Sequence, residues 1–194
     1  KAMLLKIQTK DTKSQKDKIV KILQNSGIGV LPTDTIYGAV GQALNEKTVE
    51  RVYAVRKRRP SKPMIILISD INDLKMFGIA INEKFKNILS QFWPGKTSII
   101  LPCLDKKFKY LHRETNSLAF RFPDNKNLRN LISKTGPLVA PSANLEGLPP
   151  ATTIEEAKNY FGDSVDFYLD GGKIEGSPSK LIKFEGDKII ELRK

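Results

Sequence analysis

Hydrophobic positions along the chain follow a helical period in some stretches and form short continuous runs in others. In residues 16–26, apolar side chains recur at helical spacing up to Gly27, which predicts an amphipathic helix that ends at the glycine. A second helix opens at residues 45–46 and runs into a cationic stretch at residues 56–60. The same criterion predicts further helices over residues 70–77, 82–92, 128–134 and 153–161, the last begun by a threonine cap.

Short apolar runs bounded by turn residues predict strands over residues 28–31, 64–68, 98–101, 117–122, 137–140, 167–169, 180–184 and 188–192. Strands that alternate with helices are typical of an α/β layer fold. The last two strands are joined by Glu-Gly-Asp, which predicts an antiparallel pair and therefore a mixed sheet. The length of 194 residues predicts a single domain over residues 1–194.

Composition excludes several classes of protein. Hydrophobic residues make up 40% of the chain and charged residues 28%, so a disordered or collagen-like chain is excluded. No apolar run approaches the ~18 residues that span a bilayer, and the lysine-rich first 18 residues lack the apolar segment of a signal peptide. One cysteine and one histidine cannot build a disulfide framework or a cluster of such metal ligands. We therefore expect a cytoplasmic protein without a membrane partner and without a metal site of its own.

The net charge indicates the kind of partner. Lys and Arg number 33 against 21 Asp and Glu, which gives a formal charge of +12. Such an excess favours a polyanionic partner, either a nucleotide, a nucleic acid or an acidic surface. Four of the eight arginines fall within residues 51–59, so this stretch is the strongest candidate for phosphate binding.

Several familiar motifs are absent or incomplete. Gly-Lys-Thr at residues 95–97 resembles the end of a phosphate-binding loop, but Ser90 stands where the first glycine is needed and a strand follows. Ser142 lies outside a nucleophile elbow, and only one histidine is present, so a serine-hydrolase triad is not supported. We interpret Cys103 as a small core residue and His112 as a satisfied or solvent-facing histidine in a charged loop.

Four segments carry candidate chemistry. Residues 32–38 follow a buried strand and supply three hydroxyls and a carboxylate, although an ordinary capped turn stays an alternative. Residues 56–62 carry cations that can bracket a triphosphate or form a solvated helix end. On the strand at 117–122, alternation places Ser117, Ala119 and Arg121 on one face, so Arg121 either faces a pocket or an acidic partner or is an ordinary edge-strand arginine. Pro-Ser-Ala-Asn at 141–144 follows another strand and is either a site loop or a plain turn.

These segments, in this order, resemble the YrdC-like family, the threonylcarbamoyl-AMP synthases. The resemblance covers nearly the whole chain and rests on a combination of motifs: Pro-Thr-Asp-Thr-Ile-Tyr-Gly at 32–38, Trp-Pro-Gly at 93–95, Ala-Phe-Arg at 119–121, and Pro-Ser-Ala-Asn at 141–144 with Gly147 and Pro149. It implies an open, twisted, mixed α/β sheet with flanking helices around a basic concave cavity.

The resemblance also implies roles for individual residues. It places L-threonine near Thr35 and Arg121, and Lys57 with Arg59 matches the catalytic Lys-x-Arg pattern of the family. The implied nucleotide site comprises Arg59, Lys62, Ser117, Ser142, Asn144 and Arg193.

The sequence departs from the family pattern in three places. The interval from Arg59 to Lys62 is one residue shorter than usual, which leaves Arg56 and Arg58 as an alternative pair. Glu146 stands where serine is frequent, and Lys180 stands where a small hydroxyl residue is common.

The implied reaction joins L-threonine, bicarbonate and ATP into threonylcarbamoyl-adenylate and pyrophosphate, for threonylcarbamoyl modification of a tRNA adenosine. Mg²⁺ is expected to accompany ATP, and tRNA and the downstream threonylcarbamoyl-transferase proteins are further implied partners. The alternative is a non-catalytic RNA-binding module that uses the basic cavity, for which exposed aromatic side chains among the cations would be the sign.

Overall fold

A ten-stranded mixed sheet forms the centre of the computed structural model, which describes residues 1–6 and 12–194. Its spatial order is β1-β8-β2-β3-β7-β4-β6-β5-β9-β10. In chain order the strands are β1 (Met3–Lys6), β2 (Gly29–Pro32), β3 (Tyr37–Gln42), β4 (Ile65–Leu67), β5 (Thr97–Pro102), β6 (Ser117–Arg121), β7 (Leu138–Val139), β8 (Phe167–Asp170), β9 (Lys180–Glu185) and β10 (Lys188–Arg193). The predicted α/β class and the mixed sheet are confirmed.

Helices cover both faces of this sheet. They are α1 (Thr12–Gln24), α2 (Glu46–Arg56), α3 (Glu83–Leu89), α4 (Lys109–His112), α5 (Lys126–Thr135) and α6 (Ile154–Phe161), with 3₁₀ turns at Ile71–Phe77, Lys106–Phe108 and Gly162–Ser164. Helices α1 and α5 bury their apolar faces in one hydrophobic cluster, and α2 and α6 bury theirs in another cluster with the opposite side chains of the sheet. The sheet is therefore the middle layer of three.

Side chains of the predicted type cap the helices. Asn45 accepts the backbone N–H of Thr48 at the start of α2, at 3.2 Å. Thr153 accepts the backbone N–H of Glu156 at the start of α6, as the sequence predicts. Each cap satisfies a donor that the first helical turn leaves free, so the ends of these helices are fixed locally.

Strand directions gather several connecting segments at one edge of the sheet. Strand β3 pairs antiparallel with both β2 and β7, and β4 pairs antiparallel with β7 and parallel with β6. The carboxyl ends of β2 and β7 therefore lie at the same edge as the amino ends of β3, β4 and β6. This edge brings together the turn at 33–36, the stretch at 57–64 and the loop at 140–147.

Two strands and three short helical turns were not predicted. Strand β3 contains Gly38, Ala39 and Gly41, so it lacks the large side chains that reveal a strand in the sequence. Small size is needed there, because a Cβ on Gly41 would lie 2.5 Å from Cγ2 of Thr48 in α2. Strand β1 is the outermost described strand at one edge of the sheet and pairs with β8. Residues 106–112 form short helical turns instead of the expected loop.

None of the helices in the described ranges combines the length and the apolar character that a bilayer crossing needs.

Candidate functional site

A cavity of about 470 Å³ opens at the sheet edge where these segments meet. Its charged lining consists of five cations and one carboxylate: Arg56, Arg58, Lys62, Arg121, Arg193 and Glu146. Hydroxyl and amide groups complete the polar lining, among them Thr35, Ser117, Ser142 and Asn144. The cavity thus collects seven of the nine different residues to which the sequence analysis assigned a site role.

Strand β6 contributes one face to the cavity. Ser117, Ala119 and Arg121 all line it, as the predicted alternation requires. Leu118 and Phe120 point to the other side and are fully buried in the core. Strand β6 therefore presents Ser117 and Arg121 to the cavity, with only the small side chain of Ala119 between them.

The turn between β2 and β3 is ordered by threonine hydroxyls. Thr33 Oγ1 accepts the backbone N–H groups of Thr35 and Ile36, each at 3.2 Å, and donates to the carbonyl of Ile36. The two threonine hydroxyls are 3.2 Å apart, and both side chains are buried at the cavity wall. This arrangement presents Thr35 in a fixed position beside β6.

Arg121 has a protein partner that sequence analysis did not identify. Its guanidinium forms a buried ion pair with Asp34, in which the exposed fractions of the side chains are 4% and 5%. Arg121 Nη2 also lies 3.4 Å from Thr35 Oγ1. Asp34 therefore neutralises much of the charge of Arg121, because burial strengthens their attraction. Asp124, three residues after Arg121 in the chain, pairs with Arg129 at 3.4 Å.

The path of the backbone decides where Lys57 and Arg59, the expected catalytic pair, lie relative to the cavity. Helix α2 ends at Arg56, and Lys57 adopts a left-handed conformation (φ 49°) that reverses the chain. As a result, Arg56 and Arg58 line the cavity, whereas Lys57 and Arg59 are exposed and outside its lining. The alternative register that the shortened interval left open is the one that the fold brings to the site.

Arg56 forms the support of the loop at 141–144. Its Nε donates to the carbonyl of Ser142 at 2.7 Å, and its Nη2 lies 3.3 Å from both Ser142 Oγ and Asn144 Oδ1. The hydroxyl of Ser142 donates to the same Asn144 oxygen. Burial, and then the neighbouring charge of Arg58, lower the pKa of Arg56 to about 10, so it stays charged at neutral pH. Its Nη1 has no hydrogen-bond partner within the described part of the chain.

Arg58 shapes the rim of the cavity next to Lys62. Its Nε donates to the carbonyl of Lys62 at 3.1 Å, and its Nη2 donates to the carbonyl of Pro63 at 2.6 Å. The hydroxyl of Tyr53 also donates to the carbonyl of Lys62, at 2.7 Å. Burial lowers the pKa of Arg58. The turn that carries Lys62 is therefore held by side chains and not by regular secondary structure.

The last strand contributes Arg193 to the cavity lining. Arg193 donates through Nε to the carbonyl of Ser179 at 2.8 Å and through Nη2 to its hydroxyl at 3.1 Å. Ser179 also shares a buried hydrogen bond with the hydroxyl of Ser98 at 2.7 Å. Burial, and then the charge of Arg121, lower the pKa of Arg193. Ser179 lines the cavity but was missed, because the sequence places it in a plain polar stretch.

Residues 171–179, here called the strap, lie against the threonine turn. At the start of the strap, Tyr37 donates its hydroxyl to the carbonyl of Gly172 at 2.6 Å and accepts the N–H of Gly171. Farther along, a Cβ on Gly176 would lie 2.0 Å from the carbonyl oxygen of Thr35. A glycine is required there, because two backbones approach closely. The sequence signal for this contact was the cluster of glycines at 171, 172 and 176.

The lone cysteine and histidine lie away from this cavity. Cys103 is buried, which raises the pKa of its thiol. His112 is also buried, at the end of α4, where Nδ1 accepts the N–H of Glu114; its assignment to a charged loop is corrected. The described ranges hold no group of three or more His, Cys, Asp or Glu side chains that would ligate a metal.

Comparisons with known proteins relate the chain to one family. A model of the Sua5/YciO/YrdC domain, described as "Telomere recombination", matches residues 21–194. A protein of Methanocaldococcus jannaschii named putative threonylcarbamoyl-AMP synthase is 32% identical over 191 residues, which cover 98% of this chain and 90% of that protein. The threonylcarbamoyl-AMP synthase of Bacillus subtilis is 33% identical over 175 residues, 89% of this chain but only 51% of that protein.

Similarity of fold extends to solved structures. The crystal structure of Pyrococcus abyssi Sua5 complexed with L-threonine superposes with a TM-score of 0.87 at 24% identity, over 99% of this chain and 57% of that one. The chain therefore spans about half the length of the Sua5 and B. subtilis relatives and nearly all of the M. jannaschii relative.

Proposed function

The chain belongs to the Sua5/YciO/YrdC family, and on that premise we propose that it is an L-threonylcarbamoyladenylate synthase. The names of the relatives support this activity. The observation that carries the proposal is the cavity itself, which gathers Arg56, Arg58 and Lys62 on one side and Thr35 with Arg121 on another. Such a cavity suits the reaction of an anionic carbamate of the amino acid with the triphosphate of ATP.

The proposed reaction proceeds in two steps. The amine of L-threonine attacks bicarbonate, which forms a carbamate C–N bond and releases water. A carbamate oxygen then attacks the α-phosphorus of ATP, the bond from that phosphorus to the bridging oxygen breaks, and pyrophosphate leaves. Neither step needs a nucleophile from the protein. The enzyme contributes to the rate by positioning the substrates and by stabilising the negative charge that develops on the phosphate.

Cationic side chains bind the phosphates of ATP in this proposal. Arg58 and Lys62 at the rim bind the triphosphate in this proposal, since cationic side chains, and guanidinium groups above all, suit phosphate oxygens. The buried Arg56 adds its positive charge to theirs. Ser142 and Asn144 present the loop that Arg56 supports, and Ser117 and Arg193 face the remaining nucleotide. Mg²⁺, when bound with ATP, neutralises phosphate charge.

Threonine is assigned to the side of the cavity formed by Thr35 and Arg121. Arg121 is not free to bind the threonine carboxylate alone, because its Nη1 already donates a hydrogen bond to Asp34. We propose that Thr35 and Arg121 act together on the amino acid, with the strap at 171–179 behind them.

The alternative of an RNA-binding module receives no support from the aromatic residues. Nine Phe, five Tyr and one Trp all lie within the described ranges, and none of them is exposed. Binding of single-stranded RNA without catalysis generally uses exposed aromatic rings on which bases stack. tRNA and a downstream transferase remain proposed partners that act on the product.

The decisive experiment measures pyrophosphate release by the purified chain. We expect release from ATP only when both L-threonine and bicarbonate are present, and threonylcarbamoyl-AMP should appear by mass spectrometry in equal amount. Release that continues unchanged without threonine would refute the proposal, as would ATP binding with no turnover under any of these conditions.

A further inference from the structure

Glu146 is an unexpected side chain at this site. Within the described part of the chain, it is the only carboxylate among the residues that line the cavity, where five cations also lie. A carboxylate next to a triphosphate is repulsive, because like charges a few ångströms apart raise each other's energy. Its presence therefore favours a positive group in direct contact with it, which none of the described Lys or Arg side chains provides.

Two hydrogen bonds fix Glu146 at the rim. Its Oε2 accepts the backbone N–H of Arg59 at 2.7 Å, and its own N–H donates to the carbonyl of Arg56 at 2.9 Å. Both bonds tie the loop at 142–147 to the stretch that carries Arg58 and Lys62. The carboxylate is consequently held in place next to the proposed phosphate-binding side chains.

The carboxylate keeps free binding capacity. Across residues 1–6 and 12–194, no Lys or Arg nitrogen comes within ion-pair distance of Glu146, and its Oε1 accepts no hydrogen bond from these residues. Its negative charge nevertheless acts on Arg56 and Arg58, where it partly counters the effect of burial on their pKa values. Glu146 thus faces the phosphate-binding cations without being neutralised by direct contact.

We infer that Glu146 makes this site selective for the magnesium complex of ATP over metal-free ATP. The inference rests on the proposed nucleotide function and deepens it. Mg²⁺ prefers oxygen ligands and is commonly shared between substrate phosphates and one or two carboxylates. With the ion on the triphosphate, the Glu146 carboxylate meets a cation; without the ion, it meets the full charge of the phosphates.

A purely structural role is the competing explanation. In that case Glu146 only joins its loop to Arg59 by the hydrogen bond, and its charge is incidental. Glu146→Gln separates the two, because the amide oxygen can still accept the N–H of Arg59 while the charge is lost. Glu146→Ser removes both the charge and this bond and serves as the second variant.

The experiment measures ATP binding by titration calorimetry, without threonine or bicarbonate, in excess Mg²⁺ and in excess EDTA. We expect Glu146→Gln to bind metal-free ATP roughly five- to thirtyfold more tightly than the wild type, and MgATP no more tightly. Glu146→Ser should show the same loss of preference. Glu155→Gln, on the exposed side of α6, is the matched control and should keep the wild-type ratio of the two affinities.

The outcomes distinguish this inference from the proposed function. Wild-type protein that binds ATP with a preference that both Glu146 variants retain would overturn the inference and leave the synthase proposal standing. Loss of the preference in Glu146→Ser alone would assign Glu146 the structural role and would also overturn it. Wild-type protein that binds no ATP in either buffer would refute the proposed function together with the inference.

Discussion

A single backbone conformation decides which cations reach the cavity. Lys57 takes the left-handed conformation that ends α2, so the side chains on either side of it, Arg56 and Arg58, turn toward the same space. A lysine accepts this conformation without glycine because it lies at a helix end, where the local hydrogen bonds compensate. The family motif suggested Lys57 and Arg59, with Arg56 and Arg58 as the alternative pair.

Alanine substitutions test the register of this cluster. Arg58→Ala should lower the rate of pyrophosphate release about 10²- to 10³-fold, because one phosphate-stabilising donor is lost. Arg59→Ala should stay within about threefold of the wild type, since its side chain is exposed and only its backbone N–H is used. The measurement is the steady-state rate of pyrophosphate release at saturating substrate concentrations. An inactive Arg59 variant beside an active Arg58 variant would reverse the assignment.

The buried pair of Asp34 and Arg121 makes a separate prediction about stability. Asp34→Asn should lower the free energy of unfolding by about 3–5 kcal/mol, because it leaves the Arg121 charge buried without its counter-ion. Urea denaturation at neutral pH measures this change. Asp124→Asn is the control, and the largely exposed pair with Arg129 should contribute less than about 1 kcal/mol. Equal effects of the two substitutions would show that Asp34 does not compensate Arg121.

At the scale of elements, the sequence predicted those whose pattern is local. Every strand that the apolar runs predicted is present within a few residues, because runs such as 64–68 combine high β propensity with clear boundaries. Strand β3 was missed because its residues are selected for close packing against α2, which is a tertiary requirement. The strap was missed for the same reason, since its contacts join segments far apart in the chain.

The strap carries the prediction at this scale. Gly176→Ala should raise the KM for threonine about tenfold, because the new methyl group displaces the strap from the carbonyl of Thr35. The KM for ATP should change less, since the cations of the rim lie in other segments. Ser177→Ala, next in the chain and exposed, is the control. A Gly176 variant with unchanged threonine dependence would exclude the strap from the threonine side of the site.

At the scale of the whole molecule, the sequence predicted which segments come together better than it predicted the contacts between them. The segments at 32–38 and 141–144 were expected to act together, and the fold joins them directly through an antiparallel bridge between Gly38 and Ser142. The sequence could not show which side chains form hydrogen bonds or ion pairs across the sheet. Asp34 with Arg121 and Arg193 with Ser179 are partners only because the chain order of the strands differs from their spatial order.

Asp166 connects several layers of the molecule and makes the fold sensitive to acid. Its Oδ2 accepts the N–H of Ile28 at 2.9 Å and the Nη1 of Arg51 at 2.5 Å, so it joins β2 and α2 beside the start of β8. Burial by itself raises the pKa of Asp166, but the hydrogen bonds from Arg51 and Ile28 outweigh it and lower the pKa. A carboxyl group whose pKa is lowered by folding stabilises the fold at any pH above its ordinary, unfolded-state pKa. This contribution disappears as the pH falls through the lower folded-state pKa.

The substitution Asp166→Asn should therefore lower the free energy of unfolding by about 1–2 kcal/mol at pH 7, a modest amount because both side chains of the pair are 38% exposed. The difference from the wild type should shrink once the pH falls below about 4, where the Asp166 carboxyl of the unfolded chain takes up its proton, and vanish below the lower folded-state pKa. Urea denaturation at a series of pH values measures it, with Asp187→Asn in the exposed turn between β9 and β10 as the control. A difference that stays constant down to pH 2 would show that the charge of Asp166 does not contribute, and that only its shape and hydrogen bonding matter.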